Sequence, residues 1–209
     1  DTFKAMNCYL DALIFRTTDH DRLKKASLYF KKPIINALSN LSHPCQIISD
    51  LYTLNEHFNK LDLNILWIGD MNNVCFSLVE AVNLLPELNL TICTPKIIQS
   101  KMNWNFNNNI SIVNNYNFDL SQIDCVMTDV FISMNDSQNE EKINLLKYLI
   151  VDEKLMQKTK PNSVFMHCLP AQVGFEVSKE TFNSNKSIVW KQAFNRLIAQ
   201  KNLFGIIEW

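Results

Sequence analysis

The sequence predicts an α/β protein in which parallel β-sheets carry helices on both faces. Short apolar segments alternate with helical segments along the whole 209-residue chain. The apolar segments are short and continuous, which suits strands that are buried within a sheet. Polar or reactive residues follow four of these segments, at the strand ends where open α/β sheets bind their ligands.

Composition excludes several other classes of protein. Hydrophobic residues make up 47% of the chain and charged residues 20%, which indicates a globular protein rather than a disordered one. The formal net charge of −1 gives no overall attraction to nucleic acid or to an anionic membrane. No apolar run reaches the roughly 18 residues that a membrane span requires. The three glycines, Gly69, Gly174 and Gly205, are too far apart for a glycine-rich phosphate loop.

The six cysteines predict neither a zinc site nor a disulfide scaffold. None of them forms a CxxC pair, and no Cys/His cluster has the spacing of zinc ligands. We therefore expect reduced cysteines in a cytosol-like compartment.

Each predicted element follows from a local pattern. Apolar runs predict strands, and apolar residues near helical spacing, such as Ile47, Leu51, Leu54 and Phe58, predict helices. Pro44 suits the first turn of a helix. The predicted strands are Ala12–Phe15, Pro33–Ala37, Asn64–Ile68, Leu90–Thr94, Ile110–Val113, Cys125–Asp129 and Ser163–Met166. The chain opens with a helix-like stretch before Ala12. The further predicted helices are one that begins at His20, Cys45–Lys60, Asn73–Leu85, Glu140–Leu155, and a last one that starts near Ala193.

One domain boundary is predicted between residues 58 and 64, where a helix ends and a new series of strands begins. The part before this boundary contains only two predicted strands, and two strands rarely form a stable domain alone. The chain also begins with Asp1 rather than Met. We therefore expect two doubly wound parallel-sheet domains, of which the first is incomplete in this chain.

The candidate functional residues follow the predicted strands or open a helix. A cation and a helix start suit an oxyanion, a carboxylate suits an ammonium group, and amides orient a ligand. This combination predicts a transferase that joins an anionic donor to an amino acceptor. The candidates are Arg16, His43, Gln46, Asp70, Asn72, Asn73, Asp129, Ser133, Met134, His167, Cys168 and Leu169.

Taken singly, each candidate also has an ordinary structural explanation. Arg16 could form a surface ion pair, and His43 could simply precede a helix. Asp129 could cap the next element, and Cys168 could be a small buried hydrophobic residue. The run from Asp70 to Asn73 could be an ordinary turn.

Five sequence motifs then point to a known family. The segment from His43 to Asp50 matches the HPxQxxxD motif of carbamoyltransferases. Residues 165–171 resemble an HCLP motif, residues 128–134 resemble a DxxxSM motif, and residues 67–73 resemble a WIGDxNN turn. Residues 195–201 resemble an ENRxxAQK helix. Taken together in their order along the chain, these five motifs resemble the ornithine branch of the carbamoyltransferase family.

The resemblance implies a domain organisation and an assembly. Residues 1–58 would be the C-terminal part of a carbamoyl-phosphate-binding domain, with an interdomain helix from residue 43. Residues 61–190 would form an ornithine-binding domain, and residues 191–209 a helix that returns to the first domain. The resemblance further implies a homotrimer without metal or organic cofactor, in the cytoplasm or alternatively in the mitochondrial matrix.

The resemblance also implies a reaction and a set of site residues. The carbamoyl group of carbamoyl phosphate would pass to the δ-amine of L-ornithine, which gives L-citrulline and phosphate. The catalytic residues would be Arg16, His43, Cys168 and Arg196. Carbamoyl phosphate would contact Arg16, His43, Gln46, Cys168, Leu169 and Arg196. Ornithine would contact Asn73, Asp129, Ser133 and Met134.

The sequence departs from the family pattern in several places. No Ser-x-Arg-Thr string is present, although the family's phosphate loop is SxRTR, and Phe194 stands where the ENR motif has Glu. Asn135 replaces the Gly after DxxxSM, and Gln172 opens a segment that departs from the usual His-Arg-Gly. An alternative is therefore a non-catalytic truncated remnant that retains amino-acid binding or trimerisation. A relative that acts on another amine, such as putrescine, and a nicotinamide dehydrogenase are further alternatives.

Overall fold

The computed structural model describes residues 1–100, 104–132 and 140–207. Within these ranges, the predicted α/β class with parallel sheets is confirmed. The strands are β1 (Leu13–Arg16), β2 (Ile34–Leu38), β3 (Asn64–Ile68), β4 (Asn89–Cys93), β5 (Ile110–Val113), β6 (Cys125–Thr128) and β7 (Val164–His167). The helices are α1 (Thr2–Met6), α2 (His20–Tyr29), α3 (Pro44–Phe58), α4 (Asn73–Leu84), α5 (Lys96–Gln99), α6 (Glu140–Leu146), α7 (Glu153–Lys158), α8 (Lys179–Phe182) and α9 (Val189–Ile206).

Two parallel sheets organise the described residues. One sheet pairs β1 with β2, and the other has the strand order β5-β4-β3-β6-β7. The first strand of the larger sheet along the chain, β3, lies at its centre. Ile65 on β3 therefore pairs with Leu90 on one side and with Cys125 on the other. The order of the strands reverses between β3 and β6, and open α/β sheets bind ligands at such a reversal.

The main hydrophobic core surrounds the larger sheet. Trp67 on β3 and Phe165 on β7 are almost completely buried, and Leu54 brings α3 into the same cluster. Leu54 and Ile47 lie on the buried face of α3, whereas Ile48 is largely exposed. Among the described helices, none has both the length and the apolar composition that a bilayer crossing needs.

Helix α3 begins and ends as its sequence predicts. Pro44 occupies the first turn, and Asn59 closes the helix in the left-handed conformation with φ of 55°. Asparagine tolerates this conformation better than most residues because its short polar side chain can bond locally. The helix packs against both α4 and α9, and it therefore links the two sheets to the C-terminal end of the chain.

The predicted continuous helix Glu140–Leu155 is wrong. The chain forms α6 and α7 instead, and Val151 between them makes a parallel bridge to Val177. Asp152 then caps α7, because its side chain accepts a hydrogen bond from the Leu155 N–H at 2.9 Å. The final helix also starts at Val189, four residues before the predicted Ala193, and the short helices α5 and α8 had no prediction.

An ion pair between half-buried Lys160 and buried Asp124 lies at the amino-terminal ends of the strands of the larger sheet. Lys160 Nζ lies 2.9 Å from both carboxylate oxygens of Asp124. Asp124 Oδ2 also accepts a hydrogen bond from the Asn64 N–H at 3.0 Å. Because Asp124 is almost fully buried, its charge depends on these partners for compensation.

We predict that Asp124→Asn lowers the free energy of unfolding by about 2 kcal/mol, because Lys160 loses a charged hydrogen-bond partner. Urea unfolding followed by circular dichroism would measure the change. The control is Asp62→Asn, the same chemical change at an exposed residue, with an expected effect within about 0.5 kcal/mol. Equal effects of the two substitutions would show that the buried pair does not stabilise the sheet.

Candidate active site

A cavity of about 390 Å³ lies where the carboxyl ends of the strands face the start of α3 and the side of α9. It brings together eight of the ten site residues predicted from the sequence, which come from both sheets and from three helices. These eight lining residues are Arg16, His43, Gln46, Asn73, Asp129, Cys168, Leu169 and Arg196. The other two predicted residues, Ser133 and Met134, lie outside the described residues.

One side of the cavity is cationic. Arg16 is the last residue of β1, and Arg196 reaches the cavity from α9, where its Nη1 donates a hydrogen bond to Gln46 Oε1. With the Gln200 amide oxygen turned towards Arg196, that oxygen accepts from Nε at 3.0 Å and from Nη2 at 2.9 Å. The Arg196 guanidinium is therefore oriented by two side chains and favours an anionic ligand.

His43 is neutral in this cationic surrounding. Burial, together with the positive charges of Arg196 and Arg16, lowers the pKa of His43 from 6.5 to about 4. The His43 backbone N–H donates to Ser77 Oγ at 2.8 Å, which fixes the residue at the start of α3. A neutral imidazole can donate one hydrogen bond to a ligand and still accept another.

The opposite side of the cavity is anionic and centres on Asp129. Its Oδ1 accepts hydrogen bonds from the Cys168 thiol at 2.9 Å and from the Val130 N–H at 2.8 Å. Its Oδ2 accepts from Asn72 Nδ2 at 2.7 Å. The carboxylate is thus held directly after β6, with separate hydrogen-bond donors for each of its two oxygens.

The Cys168 thiol is a hydrogen-bond donor rather than a nucleophile. Burial raises its pKa well above the ordinary value, and the neighbouring Asp129 carboxylate raises it further. Thiolate is the nucleophilic form of cysteine, so this environment disfavours covalent catalysis by Cys168. The arrangement agrees with a role in shaping and polarising the cavity.

The turn after β3 positions two asparagines. Gly69 has φ of +122°, which side-chain-bearing residues rarely adopt, and it turns the chain out of the sheet. Asn72 Oδ1 caps α4 by accepting from the N–H groups of Val74 and Cys75. Asn73 Nδ2 donates to the Ser39 carbonyl at 2.7 Å, which ties α4 to the loop after β2.

The loop after β7 is held by a buried histidine and glutamate. His167 Nδ1 accepts a hydrogen bond from the Leu169 N–H at 2.9 Å, so the ring proton is on Nε2 and is donated to Glu176 Oε1 at 3.1 Å. Leu169 adopts a left-handed conformation with φ of 55°, which is unusual for a leucine. The His167 ring thus stabilises the backbone that forms this wall of the cavity.

Asp129, His167 and Cys168 place one potential metal-ligand atom each within 4.8 Å of one another. Both ring nitrogens of His167 are already hydrogen-bonded, as described above. A metal ion at this position would therefore have to displace either Glu176 or the Leu169 N–H.

Sequence reasoning missed several residues that orient the site. Asn72 and His167 were considered as candidates but were not placed among the final site residues. Glu176 and Gln192 belong to none of the five motifs. Glu176 acts through the His167 ring, 9 positions away, and Gln192 acts through the His167 N–H, 25 positions away. Asp50 belongs to the quoted HPxQxxxD string, and that motif was the signal that could have identified it.

Comparison with known proteins supports one family for the whole chain. Residues 1–56 match the family described as "Aspartate/ornithine carbamoyltransferase, carbamoyl-P binding domain". Residues 61–207 match the one described as "Aspartate/ornithine carbamoyltransferase, Asp/Orn binding domain". The two matches meet close to the boundary that the sequence predicts between residues 58 and 64.

Individual relatives agree with this assignment. The ornithine carbamoyltransferase of Brucella abortus (strain 2308) is 38% identical over 215 residues, which cover 100% of this chain and 68% of the relative. The anabolic ornithine carbamoyltransferase of Campylobacter jejuni superposes with a TM-score of 0.87 at 30% identity, over 98% of this chain and 71% of that one. The enzyme of Pyrococcus furiosus gives a TM-score of 0.86 at 30% identity, over 99% and 69%. By sequence, by fold and by the residues that line its cavity, this chain belongs to the aspartate/ornithine carbamoyltransferase family.

Proposed function

We propose that this chain transfers the carbamoyl group of carbamoyl phosphate to the δ-amine of L-ornithine and releases L-citrulline and phosphate. The observation that carries the proposal is the charge separation within one cavity. Arg16, Arg196 and Asp129 all line this cavity, where the two arginines act on His43 and the Asp129 carboxylate acts on Cys168. Such a cavity can bind an anionic donor and a cationic amino-acid acceptor next to each other.

On the cationic side, we assign Arg16, His43, Gln46 and Arg196 to carbamoyl phosphate, with Cys168 and Leu169 near its carbonyl end. The guanidinium groups would bind phosphate and stabilise the charge that develops as it leaves. Neutral His43 can donate a hydrogen bond to the carbamoyl oxygen, where negative charge grows during attack. Gln46 supports this side by accepting from Arg196.

On the anionic side, we assign Asn73, Asp129, Ser133 and Met134 to ornithine. The Asp129 carboxylate would pair with the α-ammonium group, and Asn73 would contact the amino-acid end of the substrate. The attacking δ-amine must be neutral, so the protein contributes chiefly by holding the amine and the carbonyl in contact. Ser133 and Met134 stay predictions from the DxxxSM motif.

We also propose an organisation for the chain. Residues 1–58 would belong to the carbamoyl-phosphate domain, residues 61–190 to the ornithine domain, and residues 191–209 to a helix returning to the first. Contacts between α9 and α3 support this last assignment. A homotrimer and a cytoplasmic location complete the proposal, and the six free cysteines agree with a reducing compartment.

The test is citrulline formation by the purified 209-residue chain from carbamoyl phosphate and ornithine. We expect turnover above the uncatalysed background and a preference for ornithine over putrescine, which has no α-carboxylate. Ornithine binding by calorimetry without turnover would instead favour the non-catalytic alternative. If the chain showed no turnover and also did not bind ornithine, both functions would be contradicted.

We predict that Cys168→Ser raises the KM for ornithine about tenfold and leaves the Kd for carbamoyl phosphate within about twofold. The hydroxyl is smaller than the thiol, and its position against Asp129 differs from that of sulfur. Steady-state kinetics and calorimetry would measure the two constants. The control is Cys8→Ser at an exposed cysteine, which should change neither. Equal loss for both substrates would contradict a role on the acceptor side.

We predict that His43→Gln reduces the acid sensitivity of the fold. The folded-state pKa of His43 is about 4, below the ordinary 6.5, so between these values the unfolded chain binds a proton that the folded chain does not. Stability of the wild type therefore falls as the pH drops through this window, and glutamine removes that contribution.

Urea unfolding at about pH 5 and about pH 7.5 would test this prediction. The wild type should lose stability relative to the variant at the lower pH. The control is His57→Gln, at an exposed histidine, which should alter the pH dependence of stability less than His43→Gln does. A difference between wild type and His43→Gln that is the same at both pH values would show that His43 titrates normally.

A further inference from the structure

A buried carboxyl group, Asp50, lies behind the cavity and is not one of its lining residues. Asp50 is only 1% exposed and sits on α3, one turn after Gln46. Its Oδ1 accepts two hydrogen bonds at 2.8 Å, one from Gln46 Nε2 and one from Gln192 Nε2. A single oxygen atom thus joins two glutamine side chains that lie about 146 positions apart, on α3 and on α9.

This contact orients each glutamine side chain. Asp50 holds the amide nitrogen, so the amide oxygen points away from Asp50 and can accept a hydrogen bond from another group. Gln46 Oε1 accepts from Arg196 Nη1 on the cationic side of the cavity. Gln192 Oε1 accepts from the His167 N–H at 2.9 Å, directly before Cys168. The two branches that start at Asp50 therefore end on opposite sides of the cavity.

We propose that Asp50 is a positioning residue that aligns the two sides of the active site through Gln46 and Gln192. One branch would hold the Arg196 guanidinium, and the other would hold the strand end that carries Cys168. The expected changes in KM rest on the proposed carbamoyl transfer, whereas the expected change in hydrogen exchange at the His167 N–H does not.

The acceptor oxygen, rather than the negative charge, carries this role. The pKa of Asp50 is raised to about 7, chiefly by burial. The hydrogen bonds from the two glutamines and the positive charge of Arg196 lower this pKa, whereas the negative charge of Asp129 raises it. Among the described residues, Oδ2 has no hydrogen-bond partner. Asparagine can therefore keep the Oδ1 acceptor without breaking an existing bond, whereas alanine removes the acceptor entirely.

The first experiment compares amide hydrogen exchange at His167 in the wild type, Asp50→Ala and Asp50→Asn. The His167 N–H depends on a side-chain acceptor, whereas the nearby Phe165 N–H donates to the Lys186 carbonyl and serves as the internal control. Asp50→Ala should speed exchange at His167 about tenfold relative to Phe165, because its acceptor loses its anchor. Asp50→Asn should stay within about twofold of the wild type.

The second experiment separates the two branches by kinetics. Gln192→Leu keeps the volume of the side chain but cuts only the branch to His167, so it should raise the KM for ornithine about tenfold and that for carbamoyl phosphate less than about twofold. Asp50→Ala should raise both KM values, and Asp50→Asn should restore both. If Asp50→Ala does not fold, Gln192→Leu still tests the His167 amide.

The outcomes are distinguishable. Unchanged exchange at His167 in Asp50→Ala or in Gln192→Leu would overturn the positioning role. Equal defects in Asp50→Ala and Asp50→Asn would overturn it as well, because they would assign the effect to charge. Absence of citrulline formation by the wild type would defeat the proposed function only, since the exchange measurement does not require turnover.

Discussion

The packing of α9 against α3 is the contact on which the cavity depends. Asn195 Nδ2 donates to Thr53 Oγ1 at 3.1 Å and to Glu56 Oε2 at 2.9 Å, and Gln192 donates to Asp50. These polar bonds are largely buried, so leaving any of them unmade would cost free energy. They set the rotation of α9 about its own axis, and that rotation brings Arg196 into the cavity. The cavity therefore forms only when α3 and α9, which lie far apart in the sequence, are packed against each other.

The charge distribution inside the cavity then decides which groups can carry protons. Burial, together with the positive charges of Arg196 and Arg16, lowers the pKa of His43 and keeps its imidazole neutral. Burial, together with the negative charge of Asp129, raises the pKa of Cys168 and keeps its thiol protonated. The protein therefore presents hydrogen-bond donors and fixed charges to a ligand rather than a covalent nucleophile. This fits a reaction that depends on holding two substrates in contact.

Sequence patterns predicted the strands well and some helices less well, for physical reasons. The strands are short runs of apolar residues, and burial in a parallel sheet demands such runs. The helix proposed over residues 140–155 failed because Val151 pairs with Val177, a contact between segments that are far apart in sequence. The start of α9 was placed late for a similar reason, since Val189 is fully buried by tertiary packing and no capping side chain marks the helix start.

The fold class, the family and the types of residue that line the cavity can all be predicted from the amino-acid sequence, because motifs such as HPxQxxxD place reactive side chains at the ends of elements. The orientation of those side chains, in contrast, follows from tertiary packing. It joined Asp50 to Gln192 and placed Asn72 against Asp129. Each of these bonds links residues whose separation in sequence carries no periodic signal. They form because buried polar groups must find partners once the apolar core has brought their elements together.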